Sequence, residues 1–267
     1  MGSGGSNSAY ARVAARVVAA AAAATSAAHA SPWGRPDGEF LIVSRAEYFR
    51  ADLGASDPGE FRRFESNTYL EFGVTDAVTI GGKAIYGTSW LTDATGTQTA
   101  SGFSEIEGFA QYRFLNTGDH VDSARLAVAR PAAFQSGARA NLQSDSVDAE
   151  AAVLYGRNLV LKPVKIFAAA EAGYRLRFGD AADEIRTQAT IGAEPGERWL
   201  FLLESFATVS MRNEDAGGAD YDVVKIQPSL VYRFSRRWTV QAGMTEEIAG
   251  RNLALGRTFF IGLWSAF

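Results

Sequence analysis

From about residue 39 to the C-terminus the chain alternates apolar and polar positions with a period of two, in runs of about ten residues, and carries almost no 3.6-residue periodicity. Residues 164–178 show it most clearly. One parity reads Val164, Ile166, Ala168, Ala170, Ala172, Tyr174, Leu176, Phe178; the other reads Lys165, Phe167, Ala169, Glu171, Gly173, Arg175, Arg177. One face is wholly apolar and the other carries four charges. Clusters of Gly, Asp, Asn and Pro separate such runs. The pattern predicts strands near 39–50, 62–74, 78–87, 103–114, 123–130, 147–156, 164–178, 185–194, 199–210, 222–234, 238–248 and 257–267. The connectors alternate in length. Those at 51–61, 88–102, 131–146, 179–184, 211–221 and 249–256 are mostly long and polar, and those at 75–77, 115–122, 157–163, 195–198 and 235–237 are mostly short. Strands of this length, in even number, with short turns at one end and long loops at the other, predict an all-β fold: a single antiparallel up-and-down transmembrane barrel of about twelve strands.

Aromatic residues give an independent check. On the apolar parity, Phe72, Tyr112, Phe114, Tyr155, Trp199, Tyr232, Phe234, Trp238 and Phe267 border the short turns, and Tyr48, Tyr86, Tyr174, Phe178 and Phe259 lie at the other strand ends. Two outward girdles suit a bilayer, where amphipathic rings lie at headgroup level. A soluble β-sandwich or periplasmic barrel has no reason to place outward rings at both rims. Pro228 falls mid-strand and predicts a bulge or kink there, since it cannot donate to a ladder.

Composition changes the picture in three places. Apolar residues make up 47% of the chain, yet no run of 18 follows the N-terminus, which excludes a helical membrane protein and leaves a barrel untouched. The absence of cysteine removes disulfide frameworks and Cys-based zinc or redox sites. The formal charge of −4 argues against nucleic acid as a partner. The first thirty residues stand apart: Arg12 and Arg16 with no acidic residue, an unbroken Val/Ala run from Val17 to Ala24, then Ala28-His29-Ala30. They predict a secretory signal peptide over 1–30, cut after Ala30 with Ala28 and Ala30 as the small recognition residues, and a barrel domain over 31–267 in the bacterial outer membrane, its N-terminus periplasmic.

The last strand closes on Ile261, Leu263 and Phe267 in one parity. A terminal Phe on an alternating strand resembles the signal by which bacterial outer-membrane proteins are read by their insertion machinery. Ser265 stands where an aromatic residue is usual. More loosely, the hairpin Tyr69–Asp76 running into Val78–Gly82 is similar to outer-membrane transporters of the meta-pathway phenol-degradation family. That resemblance implies phenolic or other hydrophobic solutes, for which this lumen is more charged than needed.

The inward parity carries both signs of charge, including Arg45, Glu47, Arg63, Glu65, Lys83, Glu105, Glu107, Arg125, Glu150, Lys165, Glu171, Arg175, Arg177, Arg186, Glu204, Lys225, Arg233 and Arg257. Charges at membrane depth must be paired or wet. They read either as a polar pore lining or as an interlocked salt-bridge network, and twelve strands lie between the filled and the open cases. Pairing the seventh and eighth strands about a tight 179–184 connector sets Arg177 opposite Arg186 and Arg175 opposite Gln188. Such crowded guanidiniums need neutralising, either by Glu107 and Glu150 from elsewhere on the wall or by an anionic solute.

Catalysis finds little support. His120 is the one histidine left after the leader and falls in the connector 115–122, as a solvated turn residue on the periplasmic side, away from where an outer-surface Ser–His or Asp–His site would stand. The glycines at 81–82 and 217–218 form no phosphate loop. No His/Cys metal cluster exists and no cofactor is called for. Acidic residues of the outer loops (Asp180, Asp183, Glu184, Glu214, Asp215, Asp220, Asp222, with Asn213) suit solvation, a divalent ion, or bridging to lipopolysaccharide. Outer-membrane lipids, lipopolysaccharide and the insertion machinery are the expected partners. The leading expectation is a narrow passive channel for small solutes and no enzyme. The competing one is a closed structural or surface-interaction barrel. No apolar stripe marks an oligomer contact.

Overall fold

The computed structural model describes residues 31–267 apart from 54–58, 131–145, 162–163 and 217. The expected leader, with Ala28 and Ala30, lies outside the described residues. The strands are β1 (Phe40–Asp52), β2 (Glu60–Gly73), β3 (Val78–Asp93), β4 (Gly96–Asn116), β5 (His120–Arg130), β6 (Asp148–Leu161), β7 (Val164–Arg177), β8 (Glu184–Glu194), β9 (Trp199–Ser210), β10 (Asp222–Arg233), β11 (Trp238–Arg251) and β12 (Gly256–Ala266). Each pairs antiparallel with its neighbours in sequence, and β12 closes on β1 from Leu41↔Ala266 to Ala51↔Gly256. Phe40 and Phe267 exchange backbone hydrogen bonds of 3.0 and 2.9 Å beyond the labelled end of β12. Closure leaves no free ladder edge, which is what a lipid environment demands of strands.

The period-two pattern sets the faces. Leu126, Val153, Ile191, Phe201, Ile261 and Phe267 are exposed on the outside, and both outward aromatic rows stand where the alternation puts them. The buried side chains fill the lumen. Four expectations are corrected. The connector 88–102 is not a long loop. The alternation continues through its Thr residues, which favour strands, so β3 and β4 run on to a two-residue turn where the Thr95 N–H donates to Asp93 Oδ1 (2.7 Å) and Gly96 takes φ +126°. His120 begins β5 instead of lying in a turn. Arg257 points outward with Phe259, because both share the outward parity of β12. The bulge in β10 lies at Val224/Lys225, while Pro228 keeps register with Leu203 of β9.

Residues 31–38 turn back from the start of β1 into the barrel at its short-turn end. Ser31, Trp33 and Arg35 are buried there. Two glycines make the seat. A Cβ on Gly156 would stand 2.8 Å from Pro32 and 2.9 Å from Trp33, and one on Gly73 would stand 1.9 Å from the Pro36 carbonyl. No larger residue leaves room for the segment at either place.

Candidate functional site: the occupied lumen

The lumen divides along the barrel axis. At the short-turn end the inward residues are mostly apolar: Leu41 and Val43 of β1, Tyr69, Phe109, Val121, Phe167, Leu200 and Leu202 of β9, Val231 and Trp264 form one buried cluster with Trp33. Trp33 meets Phe167 edge to face, centroids 5.9 Å apart, and Tyr69 stacks on Phe109 at 5.8 Å. Apolar packing alone would leave the backbone of residues 31–35 unsatisfied in a dry space. Wall side chains supply the partners. Gln111 Nε2 donates to the Ser31 carbonyl (2.7 Å), Ser123 Oγ to the Pro32 carbonyl (2.5 Å) and Arg113 Nη1 to the Trp33 carbonyl (2.6 Å), while the Arg35 N–H donates to Thr79 Oγ1 (2.8 Å). The Arg35 guanidinium pairs with Glu71, whose other oxygen accepts from the Tyr69 hydroxyl (2.5 Å).

Above this cluster the lumen is charged. Arg175 Nε donates to Glu150 (2.9 Å) and Nη2 to Glu107 (3.1 Å), with Glu105 at 3.9 Å and Asp148 at 3.7 Å. Arg186 Nη1 reaches Glu150 (3.2 Å), Arg125 reaches Glu150 (3.1 Å) and pairs with Glu171, Arg177 Nη1 reaches Glu184 (2.9 Å), and Lys83 Nζ lies 2.6 Å from Glu105. Five cations (Lys83, Arg125, Arg175, Arg177, Arg186) therefore face six carboxylates (Glu105, Glu107, Asp148, Glu150, Glu171, Glu184) across β3 to β8. The expected face-off of Arg177 with Arg186 does not occur. The register places Arg175 opposite Glu184, Gly173 opposite Arg186 and Glu171 opposite Gln188. The slip is two residues on each strand, so every side chain keeps its predicted face while its partner changes sign. Arg175, Arg186, Glu107, Glu150 and Glu171 are brought together, and Arg177 joins them through Asp148.

On the facing wall charges are sparser. Glu204 is fully buried. Its Oε2 accepts from Gln227 Nε2 (2.5 Å), and its Oε1 has no hydrogen-bond partner among the described residues. Thr245 Oγ1 donates to Gln227 Oε1 (2.8 Å), and Arg45 lies over Phe260 at 3.9 Å.

Loops partly roof the long-loop mouth. Asp183 accepts from the Arg177 N–H (2.8 Å), the Tyr174 hydroxyl (2.7 Å) and Asn213 Nδ2 (2.9 Å). Burial alone would raise its pKa, but these three donors hold it below the usual carboxylate value. Arg251 spans Asp220 (2.7 Å) and Asp222 (2.7 Å). These acids are engaged by protein donors, and no cluster of metal-ligating side chains occurs among the described residues. His120 Nε2 lies 3.0 Å from Asp122 Oδ1 and its ring meets Tyr155 at 5.0 Å, on the outward short-turn rim. Ile261 and Leu263 of β12, and Phe267 just beyond it, all stand exposed on the outer face.

The N-terminal segment and the apolar half were missed by sequence reading, although a signal was present. Leu41/Val43, Leu200/Leu202, Val231 and Trp264 are apolar on the inward parity, so the strands are apolar on both faces near the short turns.

No family model and no curated protein matches the chain. Solved structures do. An outer-membrane channel from Pseudomonas putida F1 superposes with a TM-score of 0.70 at 11% identity, covering 91% of this chain and 100% of that one. The NanC porin gives 0.56 at 8% identity, over 83% and 98%. The translocator domain of the autotransporter NalP from Neisseria meningitidis gives 0.51 at 11% identity, over 98% of each. The fold is that of the bacterial outer-membrane β-barrels.

Proposed function

We propose that this barrel spans the bacterial outer membrane, short turns in the periplasm and long loops outside, and works as a narrow passive channel for small solutes whose periplasmic end is closed at rest by residues 31–38. One observation carries the reading: the obstruction at the short-turn end is the segment that leads into β1, seated on two glycines and five polar contacts, and is not part of the wall. Such a closure can leave while the ladder stays intact. The channel and porin folds among the similar structures support the same class of function. On this reading residues 1–30 are the export leader, cut after Ala30, and Phe267 with Leu263 and Ile261 is what the insertion machinery reads.

The dense pairing around Arg175 favours a second reading, a closed structural barrel with a salt-bridge-filled lumen. Solute flux into proteoliposomes separates the two. Gly156→Val forces Trp33 and Pro32 from their seat, so the channel reading expects faster entry of small solutes than in the wild type. Equal impermeability of both, with both barrels folded, would leave the closed barrel.

A further inference from the structure

The outward face of β12, β1 and β2 carries an arrangement that neither the ladder nor the lumen uses. The registers place Arg50 of β1 opposite Arg257 of β12 on one side and opposite Arg62 of β2 on the other. All three lie on the lipid-facing parity at the long-loop end. Two residues nearer the membrane centre, the same registers place Tyr48 opposite Phe259 and Phe64, and all three rings are exposed. Trp90 of β3 continues the arginine row beside Arg62. The face therefore reads, from hydrocarbon outward, as a row of rings and then a row of guanidiniums.

Three like charges abreast on neighbouring strands repel unless something neutralises them. The protein supplies part of the answer. Glu60 takes Arg50 at 2.6 Å and Arg62 at 3.5 Å, Asp52 lies 3.7 Å from Arg50, and Arg257 is paired with Glu246. These acids lie on the water side and the flank of the row. The terminal amino groups of Arg50 and Arg62 hold no hydrogen bond among the described residues, and all three arginines stay 40–60% exposed. A guanidinium cannot shed its charge and matches phosphate oxygens two at a time. Rings at this height mark the headgroup level, so the chemistry presented to the arginines from the lipid side is a headgroup phosphate. Two strand spacings spread the row over about 10 Å, which suits a headgroup bearing more than one phosphate over a single phosphodiester.

We propose that Arg50, Arg62 and Arg257 form a binding site for the diphosphorylated glycolipid of the outer leaflet, lipid A, with Tyr48, Phe64 and Phe259 against its acyl region. The site rests on the long loops facing outward, as in the function proposed above. The test titrates the folded barrel in detergent with diphosphoryl lipid A and reads retained lipid by native mass spectrometry. Wild type should hold it in preference to phosphatidylglycerol and to dephosphorylated lipid A, and millimolar inorganic phosphate should not displace it. The triple variant R50Q/R62Q/R257Q should weaken retention by about tenfold or more, while R236Q/R237Q at the short turns should not change it. Unchanged retention in the triple variant, or equal retention of phosphatidylglycerol, would overturn the site. Should the triple variant fail to show the heat-modifiable mobility of a folded barrel, Arg50→Gln and Arg50→Lys, centred in the row, are read in the same assay. The glutamine should lose retention and the lysine keep part of it; equal retention in both would overturn the site. Orientation is tested apart from this. The chain has no cysteine, so Ala94→Cys at the β3–β4 tip, labelled on intact cells, reports the outward end alone, and lipid A binding in detergent does not depend on it.

Discussion

The two halves of the lumen are built from the same alternation and occupied by opposite means. At the short-turn end the inward residues are mostly apolar, with Glu71, Thr79, Gln111 and Ser123 among them, and a segment of the chain's own N-terminus fills the uneven space they leave. At the long-loop end the wall itself lines one side of the lumen with long charged side chains, paired with one another from β3 to β8. The apolar half can be emptied at the cost of a few contacts and one buried ion pair, Arg35 with Glu71, whose carboxylate keeps the Tyr69 hydroxyl as a donor. A charged half cannot lose one member without stranding its neighbours, because a buried carboxylate without its cation is far costlier than an exposed one. The closure that can move is therefore expected in the apolar half.

The largest effect should come from breaking the charged half. Arg175→Gln removes the cation shared by Glu105, Glu107, Asp148 and Glu150. It should cost about 3–5 kcal/mol and lower the temperature at which the barrel loses its compact mobility in SDS. An unchanged transition would show that water already screens these acids and that the two halves differ less than described.

Next comes the apolar half. Trp33→Ala removes the ring that packs on Phe167 but leaves every wall strand intact. It should expose residues 31–38 to proteases at least tenfold more while the unfolding temperature of the barrel stays within a few degrees. A large drop in that temperature would mean the segment is part of the barrel's stability and not a separable closure.

A smaller effect is expected where the halves meet. Glu204→Gln keeps the shape and replaces a buried carboxyl that has one unpartnered oxygen. Stability should change by no more than about 1 kcal/mol, toward greater stability. Loss of several kcal/mol would reveal a cation at Glu204.

The smallest effect concerns the rim. Hydrogen bonds from Arg251 hold Asp220 and Asp222 below the ordinary Asp value of 3.8. A depressed folded pKa means support that is complete above about pH 4 and fades as pH falls through the lowered values. Hydrogen exchange in residues 211–222 should be flat from pH 8 to 4, after correction for intrinsic rates, and rise only below. A rise near neutrality would contradict the pairing.

These contrasts also explain what the sequence made legible. Strand positions and faces could be read because an apolar outer face imposes a strict period of two, and a slip by one would invert every side chain. Partners could not. Arg175 faces Glu184 and not Gln188, because an even slip between β7 and β8 preserves both faces and is invisible to the alternation. Residues 88–102 looked like a loop because no lipid constrains their outer side, although their Thr content suits strand. Residues 31–38 have no periodicity at all. Their place is set by Gly73 and Gly156, far away in sequence, and by inward apolar residues whose meaning depends on knowing which end of each strand they occupy.

The central claim is that residues 31–38 close a passage that the wall leaves open. A Cβ at Gly156 would lie 2.8 Å from Pro32 and 2.9 Å from Trp33, so Gly156→Val unseats the segment while the wall keeps its ladder. Single-channel current across a planar bilayer is then the direct measurement. Silence or rare openings are predicted for the wild type, and frequent discrete openings for Gly156→Val. The same current in both proteins, or none in either, would contradict the claim.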